Sequence, residues 1–280
     1  MFRKFALVVF DNEDKIIDRY NLDVVSQPQG LGFKLNLSVI ETDIESIITK
    51  VVQAKQNIPL RLTNLQGYQA GNLLANWIQK YSRADKTMAL EYNDTTRIRY
   101  CVGKVVDLTK TELDEFSTLP QDLVFRPTDF FFSKRENLIK VVVSSVGKSY
   151  AFKYPYAYGK SLIENNIIDN PYINDIPLIL RINGGVTNPD IQLLDENEES
   201  YNRVEFSALD LTEDQHLIIN SAQRKILYWN GSSYEDYAPE VNPSHDTFLW
   251  AKSGISTLSI NLDSTDTGEA IGSWRQYGLW

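Results

Sequence analysis

Short apolar runs that alternate with polar residues and stop at turn residues recur along this chain, and that rhythm restricts it to a β-rich fold. PLILRIN (177–183), IQLL (191–194), RVEF (203–206), KILYW (225–229) and STLSINLD (256–263) are each bounded by Asn, Gly, Asp or Ser. Period-two alternation turns one face of a strand toward a core, and evenly spaced strands with turns between them are the signature of a sandwich or jelly-roll. FALVVF, KIIDRYNLDVVS and KLNLSVIE read the same way in the first half. The segment IESIITKVVQAK has helical spacing, but its Ile, Val and Thr content favours a strand.

One helix interrupts the pattern. In AGNLLANWIQKY, residues Leu73, Leu74, Trp77, Ile78 and Tyr81 are predicted to share one face, with Asn76, Gln79 and Lys80 opposite and Asn72 as the cap. A length of 280 residues suits two domains. The change of texture after FRPTDFFFS places their boundary near residue 135, giving an N-terminal domain over 1–135 and a C-terminal β-sandwich over 136–280. Both are expected to be mostly β.

The charge argues against one large class of function. Lys and Arg number 28 against 37 Asp and Glu, a formal net charge of −9. A chain that grips phosphate backbones needs the opposite balance. The basic start and apolar run of MFRKFALVVF resemble a signal peptide, but the run ends at Asp11, Glu13 and Asp14, so the expectation is synthesis in the cytoplasm. No segment approaches the length of a membrane span.

A lone cysteine, Cys101, rules out a disulfide framework, and its setting in RIRYCVGKVVDL is that of a small core residue. Gly147-Lys148-Ser149 and Gly159-Lys160-Ser161 lack the upstream glycine of a phosphate loop, the positions being Val142 and Tyr154. Gly30-Leu31-Gly32 precedes a strand rather than a helix and reads as a corner. His216 is expected at a solvated or edge position and His245 in the turn NPSHD; neither has a triad partner in the sequence. Asp195, Glu196, Glu198 and Glu199 lack the spaced ligands and glycine of a calcium loop and read as a solvated hairpin. No catalytic, metal-binding or cofactor-binding residue is therefore assigned, and no cofactor is expected. The corner RINGGVTNPD is read as structural, with glycines for the bend and Thr187 and Asn188 bonding local backbone.

Aromatic residues concentrate in the second half: Tyr150, Tyr154, Tyr156, Tyr158, Tyr228, Trp229, Trp250, Trp274, Tyr277 and Trp280. Such rings fill cores, stack on sugars or anchor protein interfaces. Trp280 at the chain end suggests a terminus tied into a sheet or a subunit contact.

The order of these pieces resembles the distal tail proteins of siphophages. Ile182, Gly184, Asn188 and Pro189 at the corner, Ile219 and Asn220 on a strand, the Asn230-Gly231 turn and the strand Leu258–Ile260 are similar to that family's C-terminal galectin-like sandwich. VVSQPQGLGFKL, GYQAGNLLANWIQKY and RYCVGKVVDLTKTEL are similar to its N-terminal half. The resemblance implies a structural virion protein whose N-terminal domain forms a hexameric ring continuing the tail tube. It implies partners in the tail tube protein, a tail-associated lysin or fibre protein, and receptor-binding or baseplate proteins, with location at the virion tail tip. DNA is expected to traverse an acidic channel without specific binding, and no membrane insertion is expected. A carbohydrate-binding, lectin-like module is the alternative.

Overall fold

The computed structural model describes residues 3–277 apart from 27, 29–30, 32–33, 42–45, 84–85, 95–96, 110, 145–159, 165–166, 172–173 and 262–267; strands over 34–41, 46–54, 134–144 and 160–164 are described by their backbone. Two units divide it, one holding residues up to 11 together with 15–133, the other holding 12–14 and 134–277.

The first unit begins with β1 (Lys4–Phe10), β2 (Ile16–Leu22), β3 (Val24–Ser26), β4 (Lys34–Glu41), β5 (Ser46–Ala54) and β6 (Ile58–Asn64). Helix α1 (Tyr68–Tyr81) follows, then β7 (Thr87–Asn93), β8 (Ile98–Leu108) and β9 (Leu119–Ser144), whose residues from 134 onward belong to the second unit. Strands run in the order β9-β8-β7-β1-β2, and β6 pairs with both β9 and β3. β1 is buried along almost its whole length, which explains a continuous FALVVF rather than an alternating run: it sits between two strands with both faces covered. β6 alternates instead, with Ile58, Leu60 and Leu62 buried. Pro59 is tolerated in β6 because β3 pairs only over Arg61–Thr63, so no ladder bond is asked of its missing N–H on that side. The ambiguous IESIITKVVQAK is strand β5, paired antiparallel with β4.

Helix α1 buries Ala70, Gly71, Leu74 and Tyr81. Leu74 is fully buried, a contribution of about 2 kcal/mol. Leu73, expected on that face, is 52% exposed instead, since a residue adjacent to Leu74 is turned 100° away and α1 lies flat on its sheet. Asn72 lies inside the helix. Its N-cap is Gly67, at φ 59°, with no side-chain hydrogen bond. A Cβ on Gly71 would stand 2.5 Å from Leu119 Cδ2, so this glycine permits the close approach of helix to β9.

The second unit contains β10 (Lys160–Glu164), β11 (Ile167–Asn170), β12 (Ile176–Asn183), β13 (Val186–Thr187), β14 (Asp190–Leu194), β15 (Ser200–Glu205) and β16 (Asp210–Leu211). It continues with β17 (His216–Asn220), β18 (Lys225–Trp229), β19 (Tyr234–Asp236), β20 (Trp250–Ala251), β21 (Gly254–Asn261) and β22 (Glu269–Tyr277). Two antiparallel layers, β19-β18-β17-β12-β22 and β11-β21-β14-β15, face each other. Leu178, Leu180, Ile182, Leu217, Ile219 and Ile226 from the first layer meet Ile168, Ile191, Leu193, Val204, Leu258 and Ile260 from the second in one core. The chain is thus mostly β, with one α-helix among the described residues and a sandwich in its second unit, as the alternation predicts.

Candidate functional site

Two surfaces gather aromatic and polar side chains outside the two cores. The first is built on the loop between β8 and β9. Asp114 organises it: Oδ1 accepts from the Phe116 and Thr118 amides at 3.0 and 2.8 Å, and Oδ2 accepts from Thr118 Oγ1 at 2.5 Å. The Thr118 hydroxyl and amide, with the Phe116 amide, hold the Asp114 carboxyl below the usual carboxylate range. Ser117 takes φ 59°, and its amide bonds Asp114 O at 3.0 Å. This closed turn lifts Phe116 to 76% exposure. A Cβ on Gly67 would meet Leu113 Cδ2 at 3.0 Å and Ser117 O at 3.1 Å, so the loop packs on the turn that precedes α1. Exposed Leu65 and Tyr68 flank that turn in sequence, as exposed Leu113 and Phe116 flank the Asp114 loop.

The second surface is the outer face of the β19-β18-β17-β12-β22 layer. Its registers pair Asn183 with His216, His216 with Trp229 and Trp229 with Tyr234. Asn183 Nδ2 donates to Glu269 Oε1 at 2.9 Å, extending the line to β22. Five residues distant in sequence thereby form one row across five strands. His216 is 9% exposed, its ring stacked 6.0 Å from Trp229, with Nε2 3.0 Å from Tyr234 Oη. It is neither solvated nor at an edge, contrary to expectation, because β17 is an inner strand of the layer. Burial, then the Arg181 charge, pushes its imidazole below the ordinary histidine value, with Glu13 opposing.

The same face also holds a buried ion pair. Arg275 donates to Asp14 through Nε at 2.5 Å and Nη2 at 2.7 Å, and both side chains are almost wholly buried. Gln223 Nε2 donates to Asp14 at 3.1 Å, Asn220 Nδ2 to Asn12 O at 2.7 Å, and Arg181 Nη1 to Glu13 at 2.7 Å. Residues 12–14 thus belong to the second unit's hydrogen-bond network.

The remaining sequence candidates have structural places. In the corner after β12, a Cβ on Gly184 would stand 1.7 Å from Thr212 O, and Gly185 has φ 76°. Asn188, at φ 45°, accepts from the Leu209 amide at 2.8 Å and donates its own amide to Leu209 O at 2.7 Å. Its partners are therefore distant backbone, not the local backbone expected. Asp195 caps the β14–β15 turn through the Asn197 and Glu199 amides at 2.8 and 3.0 Å. His245 Nε2 lies 3.0 Å from Glu205 Oε2 in its turn. Cys101 is buried, and burial pushes its thiol up to about 12. Trp274 is in the core, and Tyr228 packs against it. Tyr150, Tyr154, Tyr156, Tyr158, Trp280, Gly30 and Gly147-Lys148-Ser149 lie outside the described residues. Among the described residues, no group of three or more His, Cys, Asp or Glu is placed to hold a metal ion, and no helix is long and apolar enough to cross a membrane.

No curated protein matches the chain. A chain of the phage P2 baseplate in its activated conformation with calcium matches at 16% identity and a TM-score of 0.72, over 100% of both chains. The SPP1 protein Dit, described as a paradigm of hub adsorption apparatus in Gram-positive infecting phages, matches at 10% identity and a TM-score of 0.54, over 97% of this chain and 98% of its own. These likenesses give the fold. Residues 4–128 match the family described as the distal tail protein N-terminal domain. Residues 4–128 thus carry a distal tail protein N-terminal domain.

Proposed function

We propose that this chain is a structural hub at the virion tail tip: residues 1–135 assemble as a hexameric ring continuing the tail tube, and the galectin-like domain over 136–280 projects toward baseplate, fibre and receptor-binding proteins. The observation that carries this reading is the match of residues 4–128 to the distal tail domain. The role is structural rather than catalytic, exercised after synthesis in the host cytoplasm. Leu65, Tyr68, Leu113 and Phe116 supply apolar area for the contact between neighbouring copies, in keeping with a ring whose head-to-tail interfaces close on themselves. Six copies multiply a net charge of −9, and a lumen sharing that acidity repels DNA so that it passes without adhering.

Negative-stain electron microscopy with light scattering on the full chain tests the proposal. Six-fold rings with an open centre are expected. A particle of single-chain mass at every concentration, with or without the tail tube protein, overturns it.

A further inference from the structure

We propose, resting on the ring reading above, that neighbouring copies grip each other head to tail: the loop of Glu112, Leu113, Glu115 and Phe116 in one copy seats on the outward face of α1 at Leu73, Lys80 and Arg83 in the next. All four loop residues are exposed, and Asp114 pins the backbone that carries them. Two carboxylates and two apolar side chains thus stand on one short, ordered turn.

The outward face of α1 has the composition of a covered surface. Gln69, Leu73, Asn76 and Lys80 recur along it at the helical period, and Leu73 is 52% exposed. The solvent side of a surface helix is ordinarily charged. From Leu65 to Arg83, however, there is no Asp or Glu in a chain that has 37, and charge enters only at the end, with Lys80 and Arg83. Depletion of charge with retention of apolar side chains is what distinguishes the centre of a protein interface.

Charge selects a second copy as the occupant. Among the described residues, Glu112, Glu115 and Arg83 enter no ion pair. Lys80 lies 3.5 Å from Asp18 with its side chain 65% exposed, and Asp18 also accepts from Tyr81 Oη at 2.5 Å, so the basic end of α1 stays open. The opposite charges cannot meet within one chain. Leu113 Cδ2 and Ser117 O pack against Gly67 at the start of α1, and its 14 residues put Arg83 about 20 Å away, beyond the reach of screened surface charges. An acidic knob at one end of the helix and a basic patch at the other complement each other only by head-to-tail repetition, the arrangement that closes into rings. Exposed ion pairs add little affinity, so Phe116 against Leu73 supplies the apolar area and the charges fix the register.

Glu115→Cys combined with Arg83→Cys in the full chain, treated with a bismaleimide too short to span α1, tests the contact beside electron microscopy of the same sample. Cys101 is buried, and the wild type measures its background. The double variant is expected to give a ladder of linked chains, and either single variant only unlinked chains, because a head-to-tail contact joins unlike positions. Glu115→Arg and Arg83→Glu should each raise severalfold the concentration needed for rings, and the two together should recover it. Thermal melts establish that each variant is folded. Rings without a ladder, linked pairs from a single variant, or no recovery in the paired reversal overturns this contact while the ring stands; absence of rings from the wild type overturns both.

Discussion

Arg275 and Asp14, 261 positions apart in the chain, form a bidentate, almost fully buried ion pair at 2.5 and 2.7 Å. Arg275→Met leaves the carboxylate in a low-dielectric setting with Gln223 but without its guanidinium, which should cost about 3–5 kcal/mol. Replacing both partners, as Asp14→Asn with Arg275→Met, should cost clearly less, because no charge is stranded and Asn accepts the φ of 59° at position 14. Urea unfolding of the two variants followed by tryptophan fluorescence checks the order; equal losses would show that the charge itself is not what matters.

Two glycines should respond to alanine for different reasons. At Gly184 a Cβ collides with Thr212 O at 1.7 Å, so the corner must move and the loss should reach about 3 kcal/mol or more. At Gly231 nothing lies within 4 Å, and only the φ of 98° is strained, which should cost about 1–2 kcal/mol. Thermal denaturation of the pair measures the difference.

Stability of the second unit should fall as pH drops from neutral through about 6.5, the ordinary histidine value. His216 is held below the ordinary value of about 6.5, so the unfolded chain binds the proton first and acidification favours unfolding. The contribution is fully present above the unfolded value and is lost as pH drops toward the folded one. His216→Phe keeps a ring beside Trp229 and should flatten the midpoint-against-pH curve over that window. A slope unchanged in the variant would assign the effect to another group.

Phe116→Ser should leave the monomer's melting temperature nearly unchanged, within about 0.5 kcal/mol of stability, since a side chain 76% exposed has little burial to lose. Under the ring proposal the same change should lower the mass seen by light scattering. Rings of undiminished stability would remove Phe116 from the contact.

Asp114→Ala should speed hydrogen exchange at the Phe116 and Thr118 amides, which lose their acceptor, while exchange along β8 and β9 stays slow.

Much of this architecture is legible in the sequence because it is local. PLILRIN and KILYW declare their strands by alternation, Asn230-Gly231 declares its turn, and the order of the pieces points to the family. What is not legible depends on register between distant segments. Asn183, His216, Trp229, Tyr234 and Glu269 look unrelated until five strands align them. Nothing near Asp14 announces Arg275. Leu73 departs from the predicted helix face for a related reason: two adjacent leucines do not say which one the sheet will cover, and Gly71, which sets the depth of approach, reads only as a weak helix former.

The cage that Asp114 builds around its own loop has a kinetic meaning. Ordering a surface loop and its aromatic side chain is ordinarily a cost met at the moment of association. Here the loop's share is met when the chain folds, so the backbone that carries Phe116 meets any neighbour already in position. Fewer collisions are wasted on misplaced conformers, and an assembly step relying on this residue is limited by encounter rather than by rearrangement.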